Sequence, residues 1–572
     1  MRVSLWNTCV VLVLSVVLPA VLMPLSLAHA QTVPPSADVG RVQDNLELPT
    51  IPLPDGQVLE LPNIQSRAKP PANAHAIRFT IQSVTVDGAT AFDESTLSVL
   101  YDEFIGEEVS LNMVWNIARD ITDLYHRKGY FLSRAFVPEQ EIASGHVRLQ
   151  VVEGFVGRVE MPDSLKADRL ITRETDKITQ KRPLRRQDLE TLLLNLNDLP
   201  GVVFDALLKP EEQSNVGVPS GQVVLALDAE ATAPHAQASF DNYGSKFLGP
   251  GQLSLGLQTA LIPYHETSFS FARGIPEDEL QSVSVRHKIP LTSKTKATLY
   301  GSYTHTEPGE NLEANEVIGD SVAYGLSLEH SLVRQRQKNL SLNAGFEVRN
   351  SQTDLLGSPL GRDRTSVITL GVKGDTFDDT GALNQGAFTI SKGIDALGSS
   401  EKGDANLSRT NADPEHLKFN ASYLRQQPLP SNLLLQFQVE GQYSSDSLVS
   451  SEEFGFGGPR LGRAFYASEI SGDRGFGAGL ELHYLGWGSN NNIRKIPYAF
   501  YDIGRVWNEE PGRPAETASS AGLGLRLMHE NANKTRFYAD FYAAQPIIKS
   551  QSNPIIGDGK APRVGVRLGV LQ

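Results

Sequence analysis

Residues 433–443 read Leu-Leu-Leu-Gln-Phe-Gln-Val-Glu-Gly-Gln-Tyr and alternate with period two. Leu433, Leu435, Phe437, Val439 and Tyr443 share one face of a strand, and Gln436, Gln438 and Glu440 share the other. The alternation returns at 537–543, where Phe537, Ala539, Phe541 and Ala543 oppose Tyr538, Asp540 and Tyr542. It returns again at 417–423, where Leu417, Phe419, Ala421 and Tyr423 oppose Lys418, Asn420 and Ser422. A soluble sandwich also alternates, so the character of the second face decides. Charged residues recur there strand after strand: Arg286, Lys418, Glu440, Glu481, Arg526, Arg536, Asp540 and Arg567. An apolar outside around a polar, wet inside is the pattern of a transmembrane β-barrel.

From about residue 232 onward no helical period interrupts this pattern, which places the barrel at 232–572. About sixteen antiparallel strands can be counted, starting near 236, 252, 266, 281, 295, 322, 339, 365, 386, 416, 432, 476, 496, 520, 535 and 563. Sixteen strands enclose a lumen wide enough for an extended chain unless something fills it. The longest interval without a strand, 444–474, is rich in glycine and broken by Pro459, and a loop of that length is expected to have a function. The formal charge of −14 gives no global basic field for nucleic acid. A mean hydropathy of −0.23 excludes a bundle of membrane-spanning helices.

The residues before the barrel divide further. Met1 and Arg2, an apolar run over 10–22 and Ala28-His29-Ala30 make residues 1–30 a predicted secretory signal peptide. The only cysteine, Cys9, lies inside it, so the mature chain is expected to have none, as suits an oxidising compartment. Residues 31–76 carry eight prolines and read as a linker, within which 36–48 fits either a short helix weakened by Gly40 or a plain tether. Residues 77–154 then read as a small α/β unit. A strand is expected over Ile77–Val86, a helix from Leu111 to Tyr125 behind Ser110 and closed by Lys128-Gly129, and strands near 131–137 and 146–152. Residues 155–231 repeat the plan more weakly, with a strand at 156–161, a helical face of Leu189, Leu192, Leu193 and Leu196, and strands at 202–208 and 223–227.

Enzyme signatures do not appear. Gly559-Lys560 is followed by Ala561, so there is no phosphate loop, and His265-Glu266 and His529-Glu530 lack the second histidine of a zinc site. No nucleophile elbow is present. The expectation is a protein that is not an enzyme and uses no cofactor or metal.

The block from Lys128 through Gly129-Tyr130-Phe131-Leu132-Ser133-Arg134-Ala135, with Pro138-Glu139-Gln140 and Val152-Glu153-Gly154, resembles the first polypeptide-transport-associated (POTRA) domain of two-partner secretion transporters, the haemolysin secretion/activation family. Asn197-Asp198-Leu199-Pro200-Gly201-Val202 is similar to a turn of that family's second POTRA domain, and Phe240-Asp241-Asn242-Tyr243-Gly244 to its first barrel strand. The resemblance implies an outer-membrane pore, with its POTRA domains in the periplasm. Such a pore recognises an unfolded exoprotein bearing a two-partner secretion domain, of haemolysin or adhesin type. It secretes that exoprotein at the Gram-negative cell surface without nucleotide, and some family members also activate it. It further implies outer-membrane lipids as surroundings, the barrel assembly machinery and periplasmic chaperones as biogenesis partners, and a plug helix in the segment 36–48. β-Augmentation at a sheet edge would place the passenger on Leu132, Ser133, Arg134, Ala135, Phe136 and Val137. Two other readings remain: an assembly factor of the same superfamily, which two modules instead of a longer array argue against, and a passive porin.

The resemblance also singles out a loop–wall contact. Gly462-Arg463-Ala464-Phe465 stands where the family has an arginine-glycine-aromatic tip, with Ala464 in the glycine's place, and Phe500-Tyr501-Asp502-Ile503-Gly504 is similar to its F-x-D strand motif. Period two puts Phe500, Asp502 and Gly504 on one face, and only a lumen accepts Asp502. Arg463 is therefore expected to meet Asp502 inside the barrel, with Phe465 beside it and Phe500 supporting the wall. The family often ends on an aromatic residue, whereas this chain ends Val570-Leu571-Gln572.

Overall fold

The computed structural model describes residues 33–46, 70–142, 144–210, 221–276, 278–488, 493–532, 534–550 and 561–572. The expected signal peptide and most of the linker lie outside them. Sixteen antiparallel strands, from His235–Asp241 to Arg563–Leu571, pair in chain order and close into one barrel. Closure joins the last strand to the first, with Leu571 opposite Gln237 and Arg567 opposite Asp241. Gln572 and Ala236 extend the seam by exchanging two backbone hydrogen bonds of 2.9 and 3.2 Å. The alternation is resolved as read: Phe437, Tyr443, Phe537 and Phe541 point outward and are exposed, while Glu481 and Asp540 are buried within. Turns are short at the end carrying both of the barrel's own termini, the near end, and long loops crowd the far end.

The first small unit has the expected helix, Leu111–Arg127, whose Val114, Ile117, Ala118, Ile121 and Tyr125 are buried against a three-stranded sheet. The predicted strand over 77–86 is two strands instead. Arg78–Thr80 pairs with Glu108–Ser110, while Ser83–Asp87 joins His146–Val152 in the main sheet. The break falls at Ile81 and Gln82, where the backbone changes partner: Gly106 N–H donates to the Ile81 carbonyl at 2.7 Å, and Gln82 N–H donates to Gly145 at 2.8 Å. The expected strand over 131–137 shrinks to Arg134–Phe136. A turn from Tyr130 to Ser133 redirects the chain, and Phe131 and Leu132 pack into the core of the second unit.

That second unit places Phe155–Glu160 and Val202–Pro210 on either side of Gln222–Ala231. Leu189, Leu192, Leu193 and Leu196 are buried on helix Arg186–Asn197, as their spacing predicts. A further helix, Arg169–Thr179, was not anticipated. Its buried face carries only two apolar side chains, Ile171 and Ile178, and its clearest signal is the Asp168 cap, which accepts the N–H groups of Leu170 and Ile171. The turn Asn197–Val202 docks the unit on the near end of the barrel. Asp198 forms a two-pronged pair with Arg334, at 2.7 and 2.8 Å, beside the core contact of Tyr264.

Candidate functional site

The loop after the strand Leu433–Ser444 does not stay outside. It forms a short hairpin, Phe454–Phe456 with Ile470–Gly472, and its tip folds against the lumenal wall. Four donors from the tip meet Asp502 there. Arg463 Nη2 reaches Oδ1 at 2.8 Å, Arg463 Nε reaches Oδ2 at 3.0 Å, and the backbone N–H groups of Gly462 and Arg463 reach Oδ2 at 3.1 and 3.2 Å. Both side chains are withdrawn from solvent, with Arg463 at 1% and Asp502 at 0% exposure. A fork of charge-assisted bonds this well buried is strong and directional.

The two aromatic residues divide between the arginine and the hairpin. The Arg463 guanidinium lies 3.7 Å from the centre of the Phe500 ring, so Phe500 supports the arginine itself through a cation–π contact. Phe465 is buried with Phe456, Leu461 and Ile470. Gly504 leaves space for Phe456, since a Cβ there would overlap the ring. With Ala464 in the place of the family's glycine, the tight turn of the tip is made at Gly462, which has φ +82° and whose carbonyl accepts the Phe465 N–H at 2.8 Å.

Three wall residues complete the lock and were read only as lumenal charges. Glu481 Oε1 takes a second arm of Arg463 at 2.8 Å, and its other oxygen takes Arg526 at 3.1 Å. Arg526 continues to Asp540 at 3.2 Å, and Tyr498 donates to Asp540 at 2.7 Å. Register was the missing signal: Arg526 stands directly opposite Asp540, and Glu481 directly opposite Phe500.

The segment Pro35–Asn45 lies inside the far half of the barrel as a 3₁₀ turn and the helix Val39–Asn45. Arg41 is 4% exposed, pairs with Glu453 at 3.0 Å and donates to the Ser450 carbonyl at 2.9 Å. Glu453 belongs to the inward loop and also receives Arg409 and Arg513 at 3.0 and 3.2 Å. Gly40 does not weaken this helix as its propensity suggests. It permits the packing, because a Cβ would stand 3.0 Å from Ser451 and 3.1 Å from the Ser351 hydroxyl.

In the first small unit, Arg134–Phe136 is an edge strand, but that edge is already occupied. Ala135 N–H donates to the Thr122 hydroxyl at 2.9 Å, and the Ser133 carbonyl faces His126 Nε2 at 3.1 Å. Helix Leu111–Arg127 thus fills the hydrogen-bonding positions that β-augmentation near 132–137 requires, and an added strand there would first have to displace it. Ser133 is fully buried, its hydroxyl accepting the Gly154 N–H. Arg134, Phe136 and Val137 remain half-buried.

Glu153 of the same motif ties the unit together. Burial raises its pKa, but the Thr90 hydroxyl, the Thr90 and Ala91 N–H groups at 2.7 and 2.8 Å and the Tyr125 hydroxyl at 2.7 Å outweigh this and hold the carboxyl below its usual range. A depressed folded value means stability that is present above the unfolded pKa and lost as pH falls through the folded one. Glu153→Gln is expected to destabilise the unit by about 1 kcal/mol at pH 7 and by much less at pH 3, in urea titrations followed by Trp115 fluorescence. Equal losses at both pH values would contradict the assignment.

Among the described residues no group of three or more histidine, cysteine or acidic side chains could hold a metal ion. The model of the haemolysin secretion/activation proteins ShlB/FhaC/HecB matches residues 221–527, and that of the ShlB-type POTRA domain matches residues 79–154. The chain therefore belongs to the haemolysin secretion/activation family and is a two-partner secretion transporter with a POTRA domain ahead of an outer-membrane β-barrel. The heme/hemopexin transporter protein HuxB of Haemophilus influenzae is 23% identical over 502 residues, covering 82% of this chain and 87% of the relative. The outer membrane transporter CdiB of Dickeya dadantii is 24% identical, covering 72% and 73%. The solved structure of CdiB from Escherichia coli superposes with a TM-score of 0.68 at 19% identity, covering 90% of this chain and 94% of that one.

Proposed function

We propose that this chain takes an unfolded exoprotein from the periplasm through its two small units and releases it at the surface through the barrel. Residues 155–231 serve as a second POTRA domain, and an N-terminal signal peptide delivers the chain. Barrel assembly machinery and periplasmic chaperones insert it among outer-membrane lipids. The observation carrying this reading is the lumenal lock: a wide barrel whose inward loop is fastened to the wall by Arg463 and Asp502 is a controlled conduit, unlike an open porin. Passenger recognition falls on the half-buried side chains of Arg134 and Phe136, since the backbone edge beneath them is filled by the helix and Val137 packs with Ala135 against the unit's own core. The passenger is a haemolysin- or adhesin-type exoprotein with its own secretion domain.

The test is secretion in cells producing this chain with its exoprotein. Expected is exoprotein in the medium only when the chain is present. Exoprotein left embedded in the outer membrane would identify an assembly factor instead.

A further inference from the structure

The lock fills one side of the lumen, lined by the strands Arg474–Tyr484 through Arg536–Lys549. Beside it, along the strands that precede Arg474–Tyr484 in the wall, the lumen is open. Two cavities, of about 340 and 390 Å³, lie along the strands Leu383–Gly393, Leu417–Leu429 and Leu433–Ser444. They share Ala387, Ser422, Glu440 and Arg460 and therefore adjoin. One extends toward the near end, to Asn339 and Asp375, and the other reaches Arg41 of the lumenal helix. We infer that a translocating polypeptide passes along this corridor, beside the fastened loop, and that Arg41 closes its far end. The inference rests on the secretion reading and specifies its route.

The dimensions suit an extended chain. Strand spacing of about 4.7 Å, sheet spacing of about 10 Å and a rise of about 3.3 Å assign roughly 150 Å³ to each extended residue. Each cavity thus holds about two residues at a time, a single strand and not a hairpin. The lining suits transit as well. Thr389, Asn420, Ser422 and Gln438 are uncharged polar groups that can exchange hydrogen bonds with any backbone in any register, and Ala387 between them is small. The charges along the route are already paired: Lys418 with Glu452 at 2.5 Å, Lys373 with Glu329 at 2.5 Å, and Arg460 with Glu440 at 3.7 Å. A path must bind its cargo weakly enough to release it, and this wall sets single apolar groups, Leu424 and Leu461, among polar ones, with Asp375 held by the Asn339 amide at 2.8 Å. The Arg41–Glu453 pair then acts as the stop, because it joins the helix to the hairpin at the point where the corridor ends.

The chain's only cysteine is Cys9, so a cysteine introduced in the barrel is the only thiol there. The experiment uses the full chain in vesicles, with the substitutions Ala387→Cys, Ser422→Cys and, on the facing strand Gly251–Thr259, Ser254→Cys. The probe is a thirty-residue unstructured peptide of Asn, Gly, Ser and Thr with one thiopyridyl-activated cysteine at its centre. Disulfide formation is expected at Ala387→Cys and Ser422→Cys at least tenfold faster than at Ser254→Cys. Equal or faster capture at Ser254→Cys, with secretion intact, would overturn the corridor and leave the secretion reading standing. Capture at none of the three positions would likewise overturn the corridor, and the secretion reading is decided separately by exoprotein in the medium.

Discussion

Asp502→Ala and Arg463→Ala are each expected to lower secretion about tenfold or more while the barrel still inserts and keeps its heat-modifiable mobility. The cause is the burial of the pair: removing one partner of a buried, hydrogen-bonded ion pair costs about 3–5 kcal/mol because the other charge is stranded. The two losses should differ in size. Asp502→Ala leaves Arg463 its bond to Glu481, whereas Arg463→Ala strands Asp502 and removes one of the cations serving Glu481. Arg463→Ala should therefore be the more severe. The double variant should be no worse than Arg463→Ala alone, since the second change removes an interaction already lost. Losses that add in this cycle, measured as exoprotein in the medium, would show that the residues act separately.

Deleting residues 77–154 should reduce secretion to background and leave the pore in the membrane. The barrel's sixteen strands close on one another, with the last paired to the first, so its fold does not depend on a sheet in the small units. Recognition, in contrast, is proposed to use the surface carrying Arg134 and Phe136. The point substitutions Arg134→Ala and Phe136→Ala should lower secretion less than the deletion does. Export at the undeleted level would end the division between recognising units and pore.

Much of this architecture is written in period two. An apolar face that never closes on a core, with Glu481, Arg526 and Asp540 on the opposite face, defines a barrel before any contact is known, and the strand starts fall within four residues of those observed except the one expected near 365, which begins at Ser358. Register is what the pattern lacks. Arg526 and Asp540 are both legible as lumenal, yet their pairing appears only once the two strands are aligned. Arg463 and Asp502 were connected through the family's motif, because nothing in spacing brings a loop tip inside. Local propensity misled where tertiary contact overrides it. Gly40 reads as a weak point in a helix and is instead the site of close packing. Leu132 reads as part of an edge strand and is instead a plug in the neighbouring unit's core.

On the proposed reading this chain conducts an unfolded exoprotein across a membrane without nucleotide. The direct measurement reconstitutes the purified chain in vesicles with its small units outward, adds the denatured exoprotein on that side and follows its protection from external protease. The account predicts protected, water-soluble exoprotein inside the vesicles, reduced about tenfold or more with Arg463→Ala. Exoprotein that remains protease-sensitive, or that becomes protected only as a membrane-embedded species, would contradict it.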